Sequence, residues 1–163
     1  MPGTAVIITT YNWPAALEAV LVGYLSQIRP PDELIVADDG STAETREVID
    51  QFRSQAPFPV KHVWHADEGF RAGAIRNRAI QASEADYLVF TDGDCIPAPW
   101  FLKSHERLAE TGWFLSGNRV LLSESFSREL LEQKIPVTSW SWGDWFQARR
   151  RKQINRLLPL FQI

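Results

Sequence analysis

Cysteine is almost absent: Cys95 is the one thiol in 163 residues. It has no partner for an internal disulfide, which fits a reducing, cytoplasmic location. No run of 18 apolar residues occurs, so no segment reads as membrane-spanning. The opening Met1-Pro2-Gly3-Thr4-Ala5 has no basic region before its short apolar run, so it does not read as a signal peptide. No G-x-G-x-x-G follows the first apolar run, and no G-x-x-x-x-G-K-[ST] is present. These absences exclude the dinucleotide fingerprint and the nucleotide-binding P-loop. Positive charge is not in excess either. A net charge of −3 and a pI near 5.6 argue against nucleic acid as a partner. Internal repeats and low-complexity tracts are missing. His62, His65 and His105 lack metal-ligand spacing and read as structural.

What is present is an ordinary globular composition, 45% hydrophobic and 23% charged, in a chain long enough for one domain with a real core. Ala5 to Ile8 is a continuous apolar run, as in a central parallel strand, and it ends in Thr9-Thr10-Tyr11-Asn12. Asn12 can cap a helix whose first turn tolerates Pro14. Leu17, Val20, Leu21, Tyr24, Leu25 and Ile28 then recur at helical spacing, and Pro30-Pro31 ends the pattern. A second strand, Leu34 to Ala37, stops at Asp38-Asp39-Gly40-Ser41. Ser41 and Glu44 have capping-box spacing, ahead of a helix burying Val48, Ile49 and Phe52. Val60 to Trp64 is a third strand. A polar loop from His65 to Arg71 leads to a helix carrying Ile75, Ala79, Ile80 and Ala82. The order β-α-β-α-β-α-β predicts an α/β fold, a Rossmann-like, mostly parallel sheet with helices on both faces.

The fourth strand, from Tyr87, ends in Asp92-Gly93-Asp94-Cys95. Asp-Gly alone is a common turn signal. Here, however, three strand ends rich in acids or hydroxyls converge on one edge of the sheet, where α/β ligands bind. Paired carboxylates there need a cation, and hard oxygen ligands suit Mn²⁺ or Mg²⁺ with a substrate's phosphates. Beyond Pro97 and Pro99, Trp100 to Glu110 reads as a helix with Phe101, Leu102, His105 and Leu108 inward. Trp113 to Leu122 reads as a bent strand or hairpin, and Ser127 to Lys134 as a helix. Trp140, Trp142 and Trp145 read as a strand or an aromatic wall, with core packing preferred over sugar stacking. The tail, Ala148 to Ile163, carries five basic residues and no acid.

Four segments, in this order and spacing, resemble the landmarks of family 2 glycosyltransferases with a GT-A fold. They are Val6 to Asn12, Leu34 to Ser41, Gly69-Phe70-Arg71-Ala72-Gly73-Ala74-Ile75-Arg76-Asn77, and Phe90 to Asp94. The third is most similar to members acting on bacterial polysaccharides and lipopolysaccharide cores. The resemblance covers residues 4–122 and implies a nucleotide-sugar-binding core over 1–122. Residues 123–163 would begin an acceptor-side region or tail, truncated relative to a full transferase. It implies that Thr9 and Tyr11 line the base pocket, Asp39 hydrogen-bonds the base, usually uracil, and Asp38 fixes the loop. Arg71 would lie near the base or diphosphate and Asp92 near the ribose or a metal-bound water, with Asp94 the direct ligand of Mn²⁺ or Mg²⁺. Arg71 is favoured over Arg76 and Arg78, which read as solvated helix-surface residues.

The implied reaction is inverting transfer of a sugar from a nucleoside diphosphate, UDP by resemblance, to a saccharide or lipid-linked acceptor. Charge grows on the β-phosphate as the anomeric bond breaks, and the cation offsets it. A carboxylate base deprotonates the acceptor, a step worth ~10²–10⁴-fold. The family's base often lies in a Glu-Asp pair, and none follows Asp94. Asp144, in Trp142-Gly143-Asp144-Trp145, is the candidate base, with a loop or cap acid the preferred reading. The main rival is a donor-binding fragment without the base. A haloacid-dehalogenase-like phosphatase is remote, because its motif lies near the N-terminus and lacks the Cys95-Ile96 continuation. The basic, apolar tail suits peripheral contact with the inner face of a membrane or a homodimer.

Overall fold

The computed structural model describes residues 3–157 and 160. Met1, Pro2, Leu158, Pro159 and Phe161 to Ile163, including part of the apolar tail, lie outside the described residues. The chain forms two compact units, Met1–Leu25 with Pro30–Ile96, and Ser26–Arg29 with Pro97–Ile163.

In the first unit the strands are β1 (Thr4–Thr10), β2 (Glu33–Asp38), β3 (Val60–Trp64) and β4 (Tyr87–Asp92), and the helices are α1 (Pro14–Leu25), α2 (Ala43–Arg53) and α3 (Ala72–Ala82). The strands form one parallel sheet in the order β3-β2-β1-β4. The apolar runs of β1 and β2 reflect their central places, and all six residues of β2 are buried. Alternate side chains point to opposite faces. Ile7, Ile35 and Ala37 form a cluster with Ile75 and Ala79 of α3. Val6, Ile8, Leu34 and Val36 are equally buried on the other face. Burying one such side chain contributes roughly 1.5–3 kcal/mol. At the start of β2, buried Glu33 accepts from Ser83 Oγ (2.6 Å) and the Glu84 amide (2.8 Å) and pairs with Lys61 (2.7 Å). The chain runs β1, β2, β3 in one direction and returns with β4 on the far side of β1. That reversal makes a switch point between β1 and β4, where ligands of such sheets bind.

Local details depart from the sequence expectations. The apolar face of α1 stops with Tyr24, and Leu25 and Ile28 are exposed because the helix ends at Leu25. Asn12 does not cap α1. It adopts a left-handed φ of 44°, and its Oδ1 accepts the Thr42 amide (2.9 Å) instead. The Ser41–Glu44 capping box does not form, because Ser41 Oγ accepts the Asn12 amide (2.9 Å). The N-cap of α2 is Thr42, without a side-chain cap bond.

The second unit holds α4 (Phe101–Leu108), α5 (Glu124–Gln133), a 3-10 turn (Val137–Ser139) and α6 (Trp142–Arg150). Gln27 ties its two segments, donating to the Ala98 carbonyl (2.8 Å) and accepting the Leu102 amide (3.1 Å). Leu102 of α4 is buried as expected, while Leu108 is exposed. Phe126, Leu130, Val137, Ala148 and Ile154 are buried. Trp113 to Leu122 is not a hairpin. Its only ladder contact among the described residues is an isolated antiparallel bridge from Leu122 to Ile154, and Trp113 and Phe114 are largely exposed. Trp142 and Trp145 lie on a helix rather than a strand, and Trp140 stands just before it. Ser141 and Asp144 close a capping box that starts α6, and Trp140 meets Trp145 edge-on at 4.9 Å. No helix among the described residues is long and apolar enough to cross a membrane.

Gly40 has φ +98°, and a Cβ there would stand 2.6 Å from Asp67 Cα. Gly40→Ala is therefore expected to lower the unfolding free energy by roughly 2 kcal/mol or more. Gly73, in α3, faces open space, so Gly73→Ala should be neutral or stabilising by up to ~1 kcal/mol. Urea titration of both variants measures the contrast.

Candidate functional site

Parallel register brings the strand ends together. Thr9 pairs with Asp92 across β1 and β4, and Thr10 with Asp38 across β1 and β2. The predicted residues Thr9, Asp38, Asp39, Asp92 and Asp94 thus share one edge of the sheet.

Asp38 and Asp39 are almost wholly buried. Asp38 Oδ1 accepts the Ser41 amide (2.8 Å), and Oδ2 meets His62 Nε2 (2.9 Å). Burial alone would raise this carboxyl's pKa. The bonds from His62 and Ser41 outweigh it and hold the group below the usual aspartate range. Asp38 is therefore the fixed point of the loop. Trp64 Nε1 adds a bond to the Ser41 carbonyl (3.2 Å). Asp39 Oδ1 meets His65 Nε2 (2.6 Å), and Oδ2 accepts the Arg71 amide (2.9 Å). His65 is also buried, and its Nδ1 has no partner.

Tyr11 is half-exposed, and its hydroxyl donates to Asp67 Oδ2 (2.9 Å). That bond raises the tyrosine's pKa and lowers the aspartate's. Asp67 Oδ1 accepts the Gly69 amide (3.1 Å). The loop from His65 to Arg71 is thus tied to the ends of β1 and β2. The Arg71 guanidinium turns back onto this loop, to Glu68 (2.6 Å) and the Ala66 carbonyl (3.0 Å), with Nε buried and unpartnered.

At the end of β4, the Gly93 amide donates to the Thr9 carbonyl (2.7 Å). A Cβ on Gly93 would stand 2.9 Å from Thr10 Oγ1 and 3.1 Å from the Thr9 carbonyl. The residue between the two acids therefore has no room for a side chain. The ligand atoms of Asp92, Asp94 and Cys95 lie within 4.8 Å of one another, with Cys95 Sγ donating to Asp94 Oδ1 at 3.3 Å. Carboxylates so close and exposed form a donor set that fits a hard divalent cation. Asp144 belongs to α6 of the second unit, where its Oδ2 accepts from the Ser141 amide (2.8 Å) and hydroxyl (2.6 Å).

Arg76 is not the solvated helix-surface residue its position suggests: it reaches this edge, with Nε on Thr9 Oγ1 (2.7 Å) and Nη2 on Asp92 Oδ1 (2.9 Å). A sequence signal existed. The buried face of α3 is Ala72, Ile75 and Ala79, and position 76 completes the i, i+3, i+4, i+7 stripe. A cation in an apolar stripe calls for a partner. Arg78, off that stripe, is exposed. His62 and His65 do not bind as a pair of metal ligands; each is the partner of a buried aspartate.

The sequence matches the profile of the family described as glycosyl transferase family 2 over residues 5–160. It is 33% identical over 104 residues to a hyaluronan synthase of Pasteurella multocida, covering 63% of this chain and 10% of that protein. It is similar in structure to the mannosyltransferase PcManGT of Pyrobaculum calidifontis, solved in complex with GDP-Man and Mn²⁺. The TM-score is 0.60 at 28% identity, over 68% of this chain and 33% of the other. S. aureus TarS, solved in complex with UDP, gives a TM-score of 0.56 at 26% identity, over 64% of this chain and 31% of the other. The chain thus spans a tenth of the first relative's length and about a third of the two solved chains.

Because the Asp38 pKa is depressed on folding, its stabilising contribution is complete above the unfolded value of about 3.9. It is lost as pH falls through the lower folded value. Urea unfolding at pH 7, 5 and 3 should show stability dropping in the last interval. Asp38→Asn should flatten that drop and cost about 1–3 kcal/mol at pH 7.

Proposed function

From the premise that the chain belongs to glycosyl transferase family 2, with the α/β architecture of its GT-A relatives, we propose that it serves inverting transfer of a sugar from a UDP-linked donor to a saccharide or lipid-linked acceptor, with a divalent cation held by Asp94 and Asp92. The observation that carries this reading is the cluster of Asp92, Asp94 and Cys95 ligand atoms within 4.8 Å at the switch-point edge. Solved relatives with UDP in one case and GDP-Man with Mn²⁺ in the other support the ligand class.

A bound Mn²⁺ or Mg²⁺ supplies Lewis-acid neutralisation of the departing diphosphate. The chain's own part is to hold and orient. In this reading Asp94 is the direct ligand and Asp92 its companion. Asp39 presents a carboxylate fixed between His65 and the Arg71 amide, so a base N–H meets an acceptor that need not reorganise. Thr9, near the end of β1, and Tyr11, just after it, are assigned to line the base pocket, and Arg71 to lie near the base or diphosphate. The donor-binding part, drawn over residues 1–122, contains the whole first unit, and residues 123–163 serve the acceptor side. Asp144 is assigned the role of helix cap. Its carboxyl is held below the usual range by bonds from Ser141, which weakens it as a base.

Calorimetric titration of UDP with and without Mn²⁺ tests the reading. Wild type is expected to bind UDP at least tenfold more tightly with Mn²⁺. Asp94→Ala should abolish the metal's effect, and GDP should bind more weakly than UDP. UDP binding indifferent to Mn²⁺, or an unaltered Asp94→Ala, would refute it.

A further inference from the structure

Arg76 carries a guanidinium that meets the Asp92 carboxylate at the end of β4, whereas the Arg71 guanidinium turns to its own loop. Its fork spans two strands. Nε holds the Thr9 hydroxyl of β1, and Nη2 holds Asp92 of β4, and these two residues are register partners. The Gly93 amide adds a backbone bond to the Thr9 carbonyl (2.7 Å). Thr9 thus holds the end of β4 in two ways, through its carbonyl to the Gly93 amide and through Arg76 to Asp92. A solvent-exposed ion pair alone contributes little. Arg76 differs because its stem lies in the apolar stripe of α3 and its head meets two acceptors fixed by the sheet. One positive charge beside two close carboxylates also eases their mutual repulsion before any cation arrives.

We propose that Arg76 is a positioning residue that sets the Asp92 carboxylate, so that the cation site is formed in advance of metal and donor. The inference rests on reading this edge as a metal–nucleotide site. It concerns how the ligand is aimed, and Arg76 itself need touch neither cation nor sugar. Arginine is required because a lysine ammonium is a point donor and cannot present the same planar fork to Thr9 and Asp92.

The test is calorimetric titration of Mn²⁺ into the full chain with UDP present, for wild type, Arg76→Gln, Arg76→Lys and the helix-surface control Arg78→Gln. Partners that orient a metal ligand are typically worth 10–100-fold in metal affinity. Both Arg76 variants should therefore bind Mn²⁺ about tenfold more weakly, with metal-free UDP affinity and the thermal midpoint unchanged and Arg78→Gln like wild type. If Arg76→Gln does not fold, Arg76→Lys, which keeps the stem and the charge but not the planar fork, carries the test alone, and its loss of about tenfold in Mn²⁺ affinity supports the inference. Wild-type Mn²⁺ affinity in Arg76→Gln, or its full rescue by Arg76→Lys, overturns the inference while leaving the metal site standing. Equal losses of Mn²⁺ and metal-free UDP binding also overturn it, because they report a general disturbance. A wild-type chain that takes up no Mn²⁺ overturns the metal reading and this inference together, and the wild-type trace alone separates that case.

Discussion

Two adjacent carboxylates, Asp38 and Asp39, are buried at the end of β2, and a buried charge persists only where donors surround it. His62 and the Ser41 amide serve Asp38, while His65 and the Arg71 amide serve Asp39. These donors come from β3, from the loop after β2 and from the approach to α3. Meeting the demand of two acids thus brings three segments to one point. The close pass of Asp67 over Gly40 follows from the same gathering. So does the Tyr11–Asp67 bond that adds the end of β1.

Asp92 and Asp94 are in a different electrostatic situation. They end a strand at the sheet's edge, exposed to solvent, with a guanidinium on one of them. Water screens them enough that the fold tolerates their charge, yet their spacing concentrates negative potential in a small volume. The buried pair already has its donors within the chain, and those donors fix where its oxygens lie. The exposed pair is suited to a ligand because a mobile cation can offset its charge. Gly93 keeps the exposed pair close to β1, since any side chain there would strike Thr9 and Thr10.

The parallel sheet was legible because β1, β2 and β4 are apolar runs ending in polar clusters, and a run and its stop are local properties. The three strand ends could be named from sequence for the same reason. What was not legible depended on partners distant in the chain. Asn12 and Ser41 both have capping chemistry, yet each serves the other's segment, a choice made by the closeness of the β1 and β2 ends. The place of Arg76 in the α3 stripe is local, but its partners Thr9 and Asp92 are set only when α3 lies on the sheet. Trp113 to Leu122 has strand-like composition, but the sheet's four strands all come from the first unit, and among the described residues the segment pairs only through the Leu122–Ile154 bridge. Trp142 and Trp145 looked strand-like by alternation, while Ser141 and Asp144 supplied a helix start that overrode it.

Cys95 is the chain's sole sulfhydryl, and it sits against Asp94. Alkylating reagents, spin labels and thiol-reactive dyes therefore have one address, beside the carboxylate cluster, with no engineering of the sequence. Thiol oxidation by a reagent such as peroxide has the same single address, so a preparation handled without reductant would carry it beside Asp94.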